Sequence, residues 1–202
     1  MIHALVTPAA IEIIRRGGLV IFPTETLYGL GCIATNEAAL RRLFEAKGRP
    51  PGQPPPVLVV SAAQMSTLVE RIPQSAADLI DAHWPGPLTL VLPARADASP
   101  LLTGLAADGT TRTIGVRHSA HPVAQSLCEQ VGAPIVATSA NRSGASGRAA
   151  NPHVIDDIPE SLRQDADVII DGGEVAGEPS TVVDCTCEPP RILRLGALRL
   201  EF

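Results

Sequence analysis

The sequence predicts an α/β fold in a single domain that spans residues 1–202. Three observations support this prediction. A length of 202 residues is typical of one domain, and a hydrophobic fraction of 45% is enough to build a core. Segments with helical and strand-like patterns alternate along the chain, as they do in α/β proteins. The 19 prolines and 17 glycines indicate many tight turns between short elements.

The first two predicted helices begin at residues that are typical N-caps. Thr7, followed by Pro8, predicts the start of the first helix, and the glycines at 17–18 predict its end. Asn36 predicts the start of the second helix, whose apolar residues fall on one face. Glycine and proline at 48–50 then stop that helix.

Short apolar runs predict the strands, and further caps predict the later helices. The strands are expected at residues 19–22, 57–60, 88–92, 114–117, 135–138, 168–170, 181–183 and 192–194. Ser61 with Gln64 forms a capping-box pattern, and Ser75 is expected to cap the helix that ends near Trp84. Another helix is expected at 123–131, and the proline-rich residues 50–56 are interpreted as a rigid loop.

Composition and charge exclude several classes of protein. The net charge of −5 argues against a surface for nonspecific nucleic-acid binding, and five aromatic residues are too few for a base-stacking platform. The apolar runs are too short to span a membrane, and the first residues lack a signal-peptide pattern. Four scattered cysteines do not suggest a disulfide scaffold, so we expect a cytoplasmic protein. The five histidines lack ligand spacing, so no metal site is predicted.

Four polar segments are expected to form loops at strand ends, which is where ligands bind in open α/β sheets. They cover residues 23–31, 47–50, 137–144, and 180–184 together with 192–196. In residues 23–31, two hydroxyls and a carboxylate could face a ligand, and in residues 137–144 the hydroxyls, an amide and backbone N–H groups could form a nest for an anion or phosphate. Each segment taken alone is equally compatible with an ordinary turn whose side chains satisfy the backbone.

Lys47 and Arg49 follow the second helix and flank Gly48. The two cations could neutralise the carboxyl end of that helix. Alternatively they could bind a polyphosphate, because lysine offers a point charge and arginine a planar fork of donors. The chain contains no Walker motif, so a nucleotide would have to be bound in another way.

The order of these motifs resembles that of a known family. The chain reads PTETLYGLG, KGRP, WPGPLTLVLPA, TIGVR, ATSANRSG, STVVD and ILRLG over residues 23–196. This order resembles the short, single-domain form of the YrdC-like threonylcarbamoyl-adenylate synthase family. The resemblance implies a twisted open mixed sheet with helices packed around it and a central, positively charged cavity. It also implies a nucleotidyltransferase reaction in which L-threonine, bicarbonate and ATP give threonylcarbamoyl-AMP, pyrophosphate and water.

The resemblance assigns a role to each matching residue. The set expected around the phosphates, and therefore to be catalytic, is Lys47, Arg49, Ser139 and Asn141. ATP contacts are expected from those four and from Gln53, Thr113 and Arg194. L-threonine contacts are expected from Thr26, Arg117, Ala137 and Ser180, with Ala137 acting through its backbone.

The sequence departs from the family pattern at two positions. Gln53 stands where the pattern has asparagine, and its amide can still donate. Leu58 stands where the pattern has histidine, which removes a polar contact to threonine. We interpret these changes as altered affinity and not as lost activity.

The resemblance also implies partners for the reaction. Mg²⁺ is expected to arrive with ATP, held by phosphates and waters. The product would pass to a tRNA threonylcarbamoyl transferase complex for N6-threonylcarbamoyladenosine synthesis. Three alternatives stay open: a non-catalytic paralogue that binds double-stranded RNA, a paralogue with a changed acceptor, and a carbamoyl-transfer domain of hydrogenase maturation. The last lacks its usual acylphosphatase and zinc-finger neighbours here, and weak RNA binding by the enzyme itself is also left open.

Overall fold

Short helices and strands alternate along the chain. The computed structural model describes residues 6–50, 52–146, 150–175 and 177–200. The α-helices are Pro8–Arg15 (α1), Glu37–Lys47 (α2), Ala62–Ser66 (α3), Gln74–His83 (α4), Pro122–Val131 (α5) and Glu160–Asp165 (α6), and a 3-10 helix covers Ile155–Asp157. The β-strands are Val20–Pro23 (β1), Tyr28–Gly31 (β2), Val57–Leu58 (β3), Leu88–Pro93 (β4), Thr103–Leu105 (β5), Arg112–Arg117 (β6), Ile135–Val136 (β7), Thr138–Ser139 (β8), Val168–Ile169 (β9), Thr181–Asp184 (β10) and Arg191–Arg194 (β11).

The strands pair in two hydrogen-bonded groups. The first has the order β8-β2-β1-β9, and the second has the order β11-β10-β4-β6-β3-β7, with β5 also paired to β6. Parallel pairs occur beside antiparallel pairs in both groups, so the sheet is mixed. The predicted α/β class with an open mixed sheet and packed helices is confirmed.

The chain passes from the second group of strands to the first at Ala137. Residues 135–138 were expected to form one strand, but Ile135–Val136 pair with β3 while Thr138–Ser139 pair with β2. Between them, the Ala137 N–H donates to the Pro56 carbonyl at 3.0 Å. This change of partner places Ala137 at the junction of the two groups.

The first strand is apolar throughout because both of its faces are buried. Val20 and Phe22 pack in one core cluster with α1 and α5 residues such as Ile14 and Leu127. Ile21, on the opposite face, belongs to the other core cluster. Alternate residues of a strand point to opposite sides, so a strand between two cores must be apolar at every position.

The prediction that residues 23–31 form one loop is wrong for Tyr28–Gly31. These residues form β2, which pairs antiparallel with β1 from Val20↔Gly31 to Pro23↔Tyr28. The two glycines resemble turn residues, but Gly31 allows the backbone of β2 to approach the backbone of β7 closely. A Cβ atom there would lie 2.1 Å from the Val136 carbonyl oxygen and 2.9 Å from Phe22.

Three predicted helix caps are confirmed, and one is wrong. Thr7, Asn36 and Ser61 each accept a hydrogen bond from a backbone N–H of the first helical turn. Ser75 does not cap α4, which begins at Gln74 after Pro73. Its hydroxyl donates instead to Glu188 Oε1 at 2.7 Å, and no side chain caps this helix.

Two findings concern membranes and cysteines. Within the described ranges, the helices are too short or too polar to cross a bilayer. Cys32, Cys128, Cys185 and Cys187 all carry free thiols, and Cys187 is the exposed one of these four.

Candidate active site

A cavity of about 310 Å³ lies where the β1–β2 loop meets the ends of strands from both groups. Seven of the eleven predicted site residues line it. They are Thr26, Arg49, Arg117, Ala137, Ser139, Ser180 and Arg194. These residues are spread over almost 170 positions of the chain, so the tertiary structure brings the predicted threonine-side and nucleotide-side residues to one place.

A second cavity of about 540 Å³ adjoins the first. Arg49, Pro56 and Arg194 line both, so the two spaces share a wall. The second cavity contains Thr113, which was predicted to contact the nucleotide. Lys47, Gln53 and Asn141 are not among the described lining residues of either cavity.

Three arginines give the first cavity its charge. Its described lining residues include Arg49, Arg117 and Arg194 but no Asp or Glu. Burial lowers the pKa of Arg49. Burial, and then the neighbouring Arg117 charge, lowers the pKa of Arg194. Both shifts show partly desolvated cations, which an anionic ligand would stabilise.

Backbone and hydroxyl acceptors fix two of these arginines. Arg49 donates from Nη1 to Thr138 Oγ1 at 3.1 Å and from Nε to the Gln53 carbonyl at 2.5 Å. Arg194 donates from Nε and Nη2 to the Ser180 carbonyl at 3.1 and 2.8 Å. The predicted residue Gln53 therefore contacts Arg49 through its backbone, and its exposed side chain takes no part in this contact.

Lys47 lies behind the cavity wall and holds the turn that carries Ser139 and Asn141. Its side chain is buried, and its Nζ donates to the Ser139 carbonyl (2.6 Å), the Asn141 carbonyl (2.7 Å) and Asn141 Oδ1 (2.9 Å). These acceptors match the three donors of an ammonium group. Burial, followed by the Arg49 charge, lowers the pKa of Lys47 to about 7.

Asn141 connects Lys47 to the serine that faces the cavity. The Ser139 hydroxyl donates to Asn141 Oδ1 at 2.7 Å, and Asn141 Nδ2 donates to the Ala150 carbonyl at 3.0 Å. The four residues predicted to be catalytic thus divide into two that line the cavity, Arg49 and Ser139, and two that support its wall.

The residues predicted to contact threonine form a hydroxyl-rich wall. Thr24 and Thr26 are joined through their hydroxyls at 2.9 Å, and Arg117 Nη1 donates to Thr26 Oγ1 at 3.1 Å. The Ser180 hydroxyl lies 2.9 Å from Thr89 Oγ1. Thr24 was expected as a ligand-facing hydroxyl of the segment 23–31 but was assigned no role, and Thr89 was not predicted as a site residue.

Leu58 also lines the first cavity, as an apolar patch on the threonine side. It is almost fully buried and packs in the core cluster with Phe22 and Ile135. The position at which the family pattern has histidine therefore contributes packing and no hydrogen bond.

The described residues form no group of three or more His, Cys, Asp or Glu side chains that could hold a metal ion. A metal bound by protein side chains alone does not fit this donor set.

Comparisons with known proteins identify the family. The Sua5_yciO_yrdC family model, described as "Telomere recombination", matches residues 12–196. A Pyrococcus abyssi protein named threonylcarbamoyl-AMP synthase is 44% identical over 189 residues, which cover 93% of this chain and 53% of that protein. A Vibrio vulnificus (strain YJ016) protein of the same name is 35% identical over 190 residues, which cover 92% of this chain and 96% of that protein.

A solved structure supports the same relationship. The crystal structure of P. abyssi Sua5 complexed with L-threonine superimposes with a TM-score of 0.85 at 43% identity, covering 94% of this chain and 54% of that one. The chain spans about half the length of the first curated relatives it matches and nearly all of the Vibrio protein. The chain therefore belongs to the Sua5/YciO/YrdC family.

Proposed function

We propose that this chain is an L-threonylcarbamoyladenylate synthase, acting as a single domain. L-Threonine and bicarbonate would form threonine carbamate with loss of water. A carbamate oxygen would then attack the α-phosphorus of ATP, and pyrophosphate would leave as threonylcarbamoyl-AMP forms.

One observation carries this proposal. The first cavity joins the hydroxyl and arginine wall of Thr26, Arg117 and Ser180 to the arginine and serine wall of Arg49, Arg194 and Ser139. The former suits an amino acid, because a guanidinium binds a carboxylate through paired donors. The latter suits a polyphosphate. The relatives named threonylcarbamoyl-AMP synthase, and the related structure that contains L-threonine, support the same assignment.

The charge of the cavity suits the reaction. A carbamate and a triphosphate repel each other, so the site must supply positive charge and hold the reacting atoms in line. Arg49, Arg117 and Arg194 supply that charge in a partly buried space. The reaction needs no nucleophilic side chain, and the buried thiols of Cys32 and Cys128 have pKa values raised to about 12 by desolvation.

We propose that the nucleotide extends from the first cavity into the second. Arg49 and Arg194 line both spaces, so phosphates held between them would direct the nucleoside toward Thr113. Mg²⁺ would be carried by the phosphates of ATP, since the described side chains offer no ligand cluster. We also propose a cytoplasmic location and transfer of the labile product to a tRNA threonylcarbamoyl transferase complex.

Incubation with ATP, Mg²⁺, bicarbonate and single amino acids tests the proposal. We expect chromatography to show an AMP-linked product and pyrophosphate with threonine. Omission of bicarbonate is the matched control and should abolish both signals. Absence of threonine-dependent pyrophosphate release would contradict the proposed function. RNA affinity with a steep salt dependence and no ATP turnover would favour the RNA-binding alternative instead.

A further inference from the structure

Arg117 is held at the cavity wall by contacts on three sides. Its Nη1 donates to Thr26 Oγ1 at 3.1 Å, and its Nε donates to the Gly86 carbonyl at 3.3 Å. Its Nη2 lies 2.8 Å from Glu25 Oε1 in an ion pair whose side chains are 8% and 21% exposed. Of the three partners, Glu25 is the charged one.

The ion pair leaves donor capacity unused. Arg117 Nη2 and Glu25 Oε1 are both buried, and they face each other across the ion pair. A guanidinium carries five N–H donors, so Arg117 can make these three contacts and still form a strong, charge-assisted contact with a ligand oxygen. A substrate carboxylate fits this position, because Arg117 lines the cavity and Glu25 is not among its described lining residues.

Glu25 is itself anchored from the other side. The Ser119 hydroxyl donates to Glu25 Oε2 and accepts from the His121 N–H at 3.2 Å. Gln125 Nε2, on α5, donates to the Ser119 carbonyl at 3.0 Å. Burial raises the pKa of Glu25, but Arg117 and the hydrogen bonds outweigh it and leave the pKa below its ordinary value. The carboxylate is therefore ionised and fixed relative to α5 at neutral pH.

We propose that Glu25 is a positioning residue for the amino-acid substrate, which acts by holding the Arg117 guanidinium in place at the cavity wall. The inference rests on the proposed function, because it assigns the carboxylate that Arg117 binds to L-threonine. Without Glu25, Arg117 retains neutral acceptors only and can turn away from its position at the cavity wall. The arginine would then meet the substrate in several orientations.

Steady-state kinetics of Glu25→Gln test this inference. The variant keeps the shape of the side chain and removes its charge. We expect the KM for threonine to rise about tenfold, equivalent to about 1.4 kcal/mol. The KM for ATP should stay within about twofold, since the nucleotide-side residues do not contact Glu25. Glu25→Asp, which keeps the charge on a shorter stem, should fall between the wild type and Glu25→Gln.

Two further variants separate positioning from general effects of charge and loop anchoring. Glu12→Gln removes the same charge from an exposed helical pair with Arg16 and should change neither KM. Ser119→Ala removes the anchor of Glu25 but leaves the ion pair, so its threonine KM should rise less than that of Glu25→Gln. An unchanged threonine KM in Glu25→Gln, or an equal rise in both KM values, would overturn the inference.

A crystal structure of Glu25→Gln keeps this test separate from the proposed function. If the wild type makes no threonine-dependent product, the proposed function fails, but the position of Arg117 still decides the role of Glu25. Displacement of the guanidinium from Thr26 and Gly86 would support the positioning role. An Arg117 side chain that stays in place would refute it.

Discussion

Lys47 and Arg49 are two residues apart in the sequence, yet their side chains act in different places. Arg49 lies at the end of α2 and reaches the cavity, whereas Lys47 is directed into the turn formed by Ser139–Asn141. The compact ammonium suits this enclosed position, because it can donate in three directions within a small space. Lys47 is the only lysine among the chain's sixteen basic residues.

The titration of Lys47 predicts a pH dependence of nucleotide binding. Above pH about 7 the free protein loses the Lys47 proton. An anion nearby favours the ammonium form, so binding above that pH requires proton uptake, and the affinity falls as pH rises. We expect the ATP affinity of the wild type, relative to that of Lys47→Met, to decrease by up to about tenfold per pH unit between pH 7 and 9.

Comparison with Lys47→Met removes the titration of ATP itself, which is common to both proteins. The variant should also bind and turn over ATP more weakly, by about 3 kcal/mol in kcat/KM if the loss resembles that of other charge-stabilising donors. Calorimetry in buffers with different ionisation enthalpies measures the proton uptake directly. Parallel pH profiles for the two proteins would contradict the role of the ammonium.

At the scale of elements, β2 shows how glycine can be misread in a sequence. Its two glycines suggested a turn, but they belong to a strand that pairs with β1. Gly31 also lies so close to the backbone of β7 that a side chain would not fit there. Apolar runs such as 19–22 were predicted well, because burial on both faces leaves an unambiguous pattern. The Ser75 cap was misassigned, since Pro73 occupies the N-cap position and the helix begins at Gln74, two residues earlier than a cap at Ser75 would place it.

The close approach at Gly31 predicts a difference between two alanine substitutions in one strand. In Gly31→Ala the new Cβ would overlap the Val136 carbonyl, so we expect a loss of about 2 kcal/mol or more in the free energy of unfolding. In Gly29→Ala the nearest atom, on Phe22, would lie at an ordinary 3.6 Å, and the loss should stay below about 1 kcal/mol. Urea denaturation measures both. Equal losses would show that the backbones can separate at Gly31 without cost.

At the scale of the whole molecule, the cavity draws its walls from both groups of strands. Thr26 and Ser139 come from the first group or its loops, whereas Arg117 and Arg194 come from the second. Ligands that bridge these walls bind the folded state and not the unfolded chain. They should therefore stabilise the molecule as a unit.

This linkage predicts additive stabilisation by the two substrates. ATP at about 100 times its Kd should raise the free energy of unfolding by about 2.7 kcal/mol, and threonine should raise the melting temperature further. Thermal unfolding followed by circular dichroism measures both shifts. Serine and GTP serve as comparison ligands for selectivity. No shift with either ATP or threonine would contradict binding in this cavity.

The sequence by itself determined the α/β class, most of the apolar strands, three helix caps and seven of the residues that line the first cavity. The fold class, strands and caps depend on local periodicity and capping chemistry, whereas the site residues came from the resemblance of the motif order to a known family. Only the tertiary structure decided which of those residues face the cavity and which support it. It placed Lys47 and Asn141 behind the wall and paired Arg117 with Glu25, to which the motif order had assigned no role. Such distinctions depend on the direction of side chains across contacts separated by about ninety residues, and local patterns contain no information about that direction.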